Sequence, residues 1–309
     1  MACLITGGTG LIGSRIVRDL SREGEQVVVY DLCPHEGILE QLLNQEERTR
    51  VKVVPGDVAD LPHLIHIVKE NNVEKIFHMA YLLSLASAEN PSLAIKVNCE
   101  GTNNVFETAR ILGVKRVIWP GSVDEEIVPV KAGEKRLFPP SVYLACKRLN
   151  LVLADHYFEE YGVETISVSF PLVYGPWQRP GSVSGAIIRE LVENIALGKP
   201  GKVPFGDDIH EWLYVDDAAR GSLLASKIPM TKTRNFTVIG DVRSVGKVAD
   251  YIRELIPEAD ITLVPGKTGY APRILPIDEK SGCLFQCSME QGIKETINVL
   301  RRQHGLPTI

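Results

Sequence analysis

Thr6-Gly7-Gly8-Thr9-Gly10-Leu11-Ile12-Gly13 follows the apolar run Cys3-Leu4-Ile5 and precedes a stretch carrying Ile16, Val17 and Leu20 at helical spacing. Glycines at such a strand-to-helix junction permit a tight turn, close approach of a phosphate group and close packing of helix on strand. The helix N-terminus then offers free N–H groups and the positive end of its dipole. The string fits G-x-x-G-x-x-G through Gly7, Gly10 and Gly13, and G-x-G-x-x-G through Gly8, Gly10 and Gly13. The ATPase-type phosphate loop is excluded, because no Gly-Lys-Ser/Thr follows.

Working outward, apolar runs alternate with amphipathic stretches. Strands are expected at Gln26 to Tyr30, Val51 to Val54, Lys75 to His78, Arg116 to Trp119 and Thr165 to Val168, and long helices near Ser92–Leu112 and Ser141–Tyr161. Each strand is apolar without clean alternation, as expected where helices cover both faces. The pattern predicts an α/β fold, a doubly wound (Rossmann) parallel sheet with a smaller C-terminal lobe. Residues 1–174 are expected to form the nucleotide-binding domain. Residues 175–309, richer in Gly and Pro, are expected to form mainly a substrate-binding lobe with segments returning to the sheet.

The composition fits this reading. Of 309 residues, 44% are hydrophobic and 24% charged, with 34 Lys and Arg against 39 Asp and Glu. That balance excludes a disordered or collagen-like chain and a basic nucleic-acid binder. No apolar run reaches the roughly 18 residues of a membrane span. A strand is expected to begin almost at Met1, so no secretory signal is expected, and six scattered cysteines suit free thiols in a cytoplasmic protein. No metal site is expected: His63 and His66 have no carboxylate at a zinc-ligand spacing, and Cys283 and Cys287 no partner ligands.

Asp31, at the end of the second strand, suits the ribose hydroxyls of an adenine dinucleotide and repels a 2′-phosphate. With Leu32-Cys33-Pro34 following, NAD is favoured over NADP, although Arg15 is a basic residue close enough to matter. In Gly56-Asp57-Val58, Asp57 reads either as a carboxylate near the adenine or as a helix cap.

Tyr143 and Lys147 stand at i and i+4 on one helix face, and Ser122 just after the preceding strand. Oxidising a secondary alcohol requires a base near pH 7. Free tyrosine titrates about 3 units too high, roughly 4 kcal/mol. An ammonium ~4.5 Å away at an effective dielectric of ~20 supplies roughly 3.7 kcal/mol. Lys147 can therefore tune Tyr143, while Ser122 holds the substrate oxygen.

TGGTGLIG, Asp31, GDV (56–58), FHMA (77–80), Asn98 in NCEGTN, Ser122, YLACK (143–147), FPLVYGP (170–176) and EWLYVDDAA (211–219) together resemble the extended short-chain dehydrogenase/reductases of the NAD-dependent epimerase/dehydratase family. The resemblance covers nearly the whole chain. It implies cofactor contacts from Gly7, Gly10, Leu11, Ile12, Gly13, Asp31, Asp57, Val58, Met79, Ala80, Asn98, Tyr143, Lys147 and Val173, with Asn98 ordering the active-site backbone. It also implies a homodimer joined through the helices around 92–112 and 141–161.

Several positions depart from the family pattern. Asp124 and Glu125 lie one residue away from the acid pair of sugar-nucleotide dehydratases, and a solvated acidic turn is the other reading. His210 and Ser169 replace arginines that often grip a nucleotide diphosphate, which leaves Arg179 and Arg273 as candidate anion clamps. Leu82-Leu83-Ser84 with Glu89-Asn90-Pro91 resembles the substrate loop of short-chain threonine dehydrogenases, so Ser84 joins Asp124, Arg179 and His210 as a candidate substrate contact. The expected activity is NAD-dependent hydride removal from a small sugar, sugar acid or hydroxy or amino acid. Epimerisation with NAD retained is the alternative; dehydration and non-catalytic NAD binding are further ones.

Overall fold

The computed structural model describes residues 2–121, 141–178, 181–229, 234–267 and 282–309. Its strands are β1 (Ala2–Thr6), β2 (Gln26–Asp31), β3 (Val51–Pro55), β4 (Val73–His78), β5 (Arg116–Pro120), β6 (Thr165–Ser169), β7 (Leu172–Tyr174), β8 (Gly201–Val203), β9 (Ile209–Tyr214), β10 (Asn235–Ile239), β11 (Asp241–Ser244), β12 (Ile261–Leu263) and β13 (Gly282–Leu284). Eight of them form one sheet, in the order β13-β10-β6-β5-β4-β1-β2-β3. Every pairing in it is parallel. This is the expected doubly wound architecture, and β10 and β13 return from the C-terminal half to extend it.

Both faces of the sheet are covered, which explains the unalternating strands. Cys3, Ile5, Val27 and Val29 pack under Ile16, Val17 and Leu20 of the helix Leu11–Arg22. Leu4, Val28, Ile76 and Val117 pack on the other face under Leu64, Val68, Val105 and Phe106. A separate cluster around Ile188, Leu191, Val192, Trp212, Val248 and Ile293 forms the core of the C-terminal lobe. No helix of the described residues is long and apolar enough to cross a membrane.

The helix expected over Ser92–Leu112 is interrupted. Pro91–Ile95 and Gly101–Leu112 are α-helical, but Lys96–Glu100 between them is a π-turn. Helix Val142–Tyr161 starts at its predicted place, with the Ser141 hydroxyl accepting the Leu144 N–H at 3.1 Å.

Asp217, in the helix Val215–Ala225 that packs on the sheet, ties that helix to the segment after β13. Its Oδ2 accepts the backbone N–H groups of Gln286 (2.9 Å) and Cys287 (2.8 Å) just after β13, and its Oδ1 pairs with Arg220 at 3.0 Å. Asp217→Ala strands those donors, so a loss of roughly 3 kcal/mol in unfolding free energy is expected by urea titration. A variant as stable as wild type would show the tie to be dispensable.

Candidate active site

The sheet order reverses between β1 and β4, and a crevice opens beyond the carboxyl ends of such strands. A cavity of ≈ 790 Å³ lies there, lined by Gly7, Gly10, Leu11, Ile12, Gly13, Asp31, Asp57, Val58, Met79, Ala80, Tyr143, Lys147 and Val173, and by Ser84 and His210. Fifteen of the sequence-derived candidates thus share one cavity. Asn98 does not line it. Its buried side chain instead grips Leu82, which does, accepting the Leu82 N–H at 2.7 Å and donating to the Leu82 carbonyl at 3.0 Å. Ser122, Asp124 and Arg179 lie outside the described residues, as do Glu125 and Arg273.

The glycine turn is built by backbone packed on backbone. Gly7 has φ +64°, and a Cβ there would sit 2.8 Å from the Ala80 nitrogen; one on Gly13 would lie 2.3 Å from the Gly7 carbonyl. Gly10 caps the helix Leu11–Arg22 without a side-chain bond, so the first-turn N–H groups lack a side-chain cap at the cavity. Asp31 is held by three donors: the Thr9 N–H (3.1 Å) and hydroxyl (2.7 Å) on Oδ2, and the Cys33 N–H (3.3 Å) on Oδ1. A carboxylate has about four acceptor sites, so capacity remains on the cavity side. Uncapped N–H groups, a cradle that tolerates no Cβ and an oriented carboxylate fit a dinucleotide. Arg15 is committed elsewhere: its guanidinium stacks on Trp177 at 4.4 Å, lies 3.4 Å from Asp216 and faces a different cavity. Asp57 accepts the Ala59 N–H at 2.9 Å, a local turn bond, while still lining the crevice.

Tyr143 lies in the first turn of the helix Val142–Tyr161, where the dipole favours a phenolate. Lys147, one turn on, is 1% exposed; its Nζ donates to the Pro120 carbonyl at 2.5 Å and lies 5.4 Å from the centre of the Tyr143 ring. An ammonium so close to the ring favours the phenolate over the phenol. Tyr81 was not singled out in the sequence. The Lys147 ammonium sits 3.6 Å from its ring centre, and the Tyr81 and Tyr143 rings meet edge to face at 5.6 Å. Nothing in local spacing marks Tyr81, since it follows the end of β4 and meets Lys147 only through the tertiary fold.

A second unforeseen group is the buried chain beneath the turn. The Thr6 hydroxyl bonds His78 Nδ1 at 2.7 Å, His78 Nε2 meets the Thr102 hydroxyl at 3.0 Å, and Thr102 donates to the Asn98 carbonyl at 2.7 Å. Complete burial, aided by the Lys147 charge, pushes the His78 pKa down to about 3.

On the far side of the cavity, Leu82, Leu83, Leu85, Phe170, Leu172 and Ile209 present apolar walls. His210 lies there at 3.6 Å from Asp208. Among the described lining residues Lys147 is the sole Lys or Arg. No group of three His, Cys, Asp or Glu side chains among the described residues could hold a metal ion.

The profile of the NAD dependent epimerase/dehydratase family matches residues 3–240. A dTDP-glucose 4,6-dehydratase of Salmonella typhimurium is 26% identical over 96% of this chain and 92% of its own length. A UDP-N-acetyl-alpha-D-glucosaminuronate decarboxylase of Bacillus cytotoxicus is 27% identical over 97% of each chain. Among solved structures, a UDP-glucose 4-epimerase of Thermus thermophilus in complex with NAD superposes with a TM-score of 0.74, at 22% identity over 97% of this chain and 99% of that one. A GalE-like L-threonine dehydrogenase of Cupriavidus necator gives 0.72, at 22% identity over 86% of each chain. At these identities the superpositions establish the fold alone.

Unfolded His78 takes up a proton below about pH 6.5, whereas the folded residue does so only near pH 3. Unfolding therefore binds a proton between these values, and stability falls as pH drops through that window, by up to ~1.4 kcal/mol per unit. Unfolding free energies measured from pH 7 to 5 are expected to fall more steeply for wild type than for His78→Gln; parallel curves would contradict the assignment.

Proposed function

The chain belongs to the NAD-dependent epimerase/dehydratase family and is an NAD-dependent enzyme of the extended short-chain dehydrogenase/reductase type, and from that premise we propose that it removes a hydride from a secondary alcohol of a small substrate. The substrate class proposed is a sugar, a sugar acid or a hydroxy or amino acid. The observation that carries this reading is the pairing of Tyr143, at the cavity wall, with the buried Lys147 ammonium beneath it.

When bound, NAD accepts the hydride from the alcohol carbon. The first turn of the helix Leu11–Arg22 would hold the pyrophosphate, and Asp31 would take the ribose hydroxyls with the acceptor capacity that Thr9 and Cys33 leave. Tyr143, as phenolate, takes the hydroxyl proton of the substrate. Lys147 and the helix N-terminus stabilise that phenolate, and Ser122 orients the substrate oxygen. A phenolate at this spot fills the base's role at neutral pH, which a free tyrosine does not.

Among the described residues the far wall carries apolar side chains and no Lys or Arg, which favours a small substrate of low negative charge. A nucleotide diphosphate calls for cations, and His210 stands where family members often carry an arginine. The second reading is epimerisation of a nucleotide sugar with NAD retained. It is favoured by relatives such as the UDP-glucuronate 4-epimerase of Thermodesulfobacterium geofontis, 26% identical over 96% of this chain.

We further propose a homodimer through the helices Gly101–Leu112 and Val142–Tyr161. Ile111, Leu149, Val152 and Tyr161 on them are exposed, Val152 at 67%. The six cysteines are free thiols, which supports a cytoplasmic location.

NAD offered with a panel of sugar acids, sugars and β-hydroxy amino acids is expected to yield steadily accumulating NADH absorbance with one substrate class. Interconversion of nucleotide sugars without net NADH would instead establish the epimerase reading. With the substrate so found, Tyr143→Phe is expected to lower turnover by about 10²–10⁴ while leaving NAD affinity unchanged. Wild-type turnover in that variant would remove Tyr143 as the base. In sedimentation, wild type is expected as a dimer and Val152→Arg as a 34.1 kDa monomer; a monomeric wild type would refute the interface.

A further inference from the structure

The Lys147 ammonium has almost no access to water. Among the described residues, β5 contributes the Pro120 carbonyl, β4 contributes neutral His78, and the segment after β4 contributes Tyr81. The active-site helix contributes Tyr143. The face of an aromatic ring carries negative potential and attracts a cation within about 6 Å, most strongly where water is excluded. The Tyr81 ring meets the ammonium at 3.6 Å, closer than Tyr143 at 5.4 Å.

We propose that Tyr81 is a positioning residue for the Lys147 ammonium: its ring face and the Pro120 carbonyl fix the cation where it acts on the Tyr143 phenol. The proposal rests on the assignment of Tyr143 as base and Lys147 as its tuner. The Tyr81 hydroxyl is secondary. It accepts from Asn150 Nδ2 at a long 3.4 Å, while the same amide donates to the Asn98 carbonyl at 2.8 Å. Asn150 and the edge of Tyr143 thus hold the ring's tilt, and the ring's face holds the cation. Without the ring, the ammonium is both less favoured as a charge and free to withdraw from the phenol, and each change raises the Tyr143 pKa.

The test needs no substrate. Burial raises the pKa of Tyr30 and Tyr157 to about 12 and lifts those of Tyr174, Tyr214 and Tyr251 above the usual value. Five of the nine tyrosines therefore stay out of an early titration. Ultraviolet difference titration of tyrosinate, each protein against its own Tyr143→Phe counterpart, isolates the Tyr143 phenol. Tyr81→Leu is expected to raise its midpoint by roughly one pH unit. Tyr81→Phe, which keeps the ring, is expected to titrate with wild type.

Replacing Tyr81 with phenylalanine and then with trifluorophenylalanine keeps the volume and cancels the ring's negative face, so the midpoint should climb with fluorination. This series decides the matter even where the leucine variant fails to fold. An early Tyr143 midpoint in wild type that neither leucine nor fluorination moves overturns the role of Tyr81 alone. A wild-type Tyr143 that titrates no earlier than the other tyrosines overturns the base assignment, and this proposal with it.

Discussion

A buried ammonium is the constraint around which this protein is arranged. Taking a charge out of water costs several kcal/mol unless oriented dipoles replace the lost solvation. At Lys147 those dipoles come from the ends of strands. Pro120 closes β5 and offers its carbonyl, while Tyr81 lies three residues past the end of β4 and offers a ring face. Neighbouring bonds link Thr6, His78, Thr102, Asn98 and the Asn150 amide nitrogen into one buried chain. Strand order, the helix break and the charge are therefore one problem: the carboxyl ends of β1, β4 and β5 must sit side by side for the cation to be tolerated.

Much of this was legible in the sequence, for definite reasons. The six N-terminal strands are short apolar runs bounded by polar turns, and a sheet buried on both faces makes such runs. The glycine turn was legible because only glycine satisfies its backbone geometry, as Gly7 and Gly13 show. Tyr143 and Lys147 were legible because helical periodicity alone puts them on one face. What stayed hidden depends on tertiary approach. Tyr81 has no periodic partner, and the hydrogen bond from Thr9 to Asp31 spans two loops. The fate of Arg15 was set by Trp177 and Asp216, far away in sequence. The return of β10 and β13 to the sheet gave only a general signal, because those strands are short and lie among irregular segments.

The two halves of the cavity obey different logic. The cofactor side is made of backbone and strand ends, and it changes only if the sheet changes. The far side is made of side chains from the connector after β4, the segment after β6 and β9 of the lobe. Side chains there can change without altering the strand ends that form the rest of the cavity. The relatives named above include a dehydratase, a decarboxylase, epimerases and a dehydrogenase, so one fold carries several activities.

The π-turn at Lys96–Glu100 has a consequence for how this chain is compared with others. A π-turn fits one residue more into the path than an α-helix does, and so rotates everything after it by about 100°. Val105, Phe106 and Ala109 face the sheet in the phase set by that extra residue, and Asn98, within the turn, reaches Leu82. The turn thus holds one residue more than a regular helix over the same path. Deleting it would restore a regular hydrogen-bond ladder but throw the following helix out of phase with its packing partners. A counterpart with an unbroken helix would need a one-residue gap here, and an alignment that omits the gap would shift every downstream position of that helix onto the wrong face.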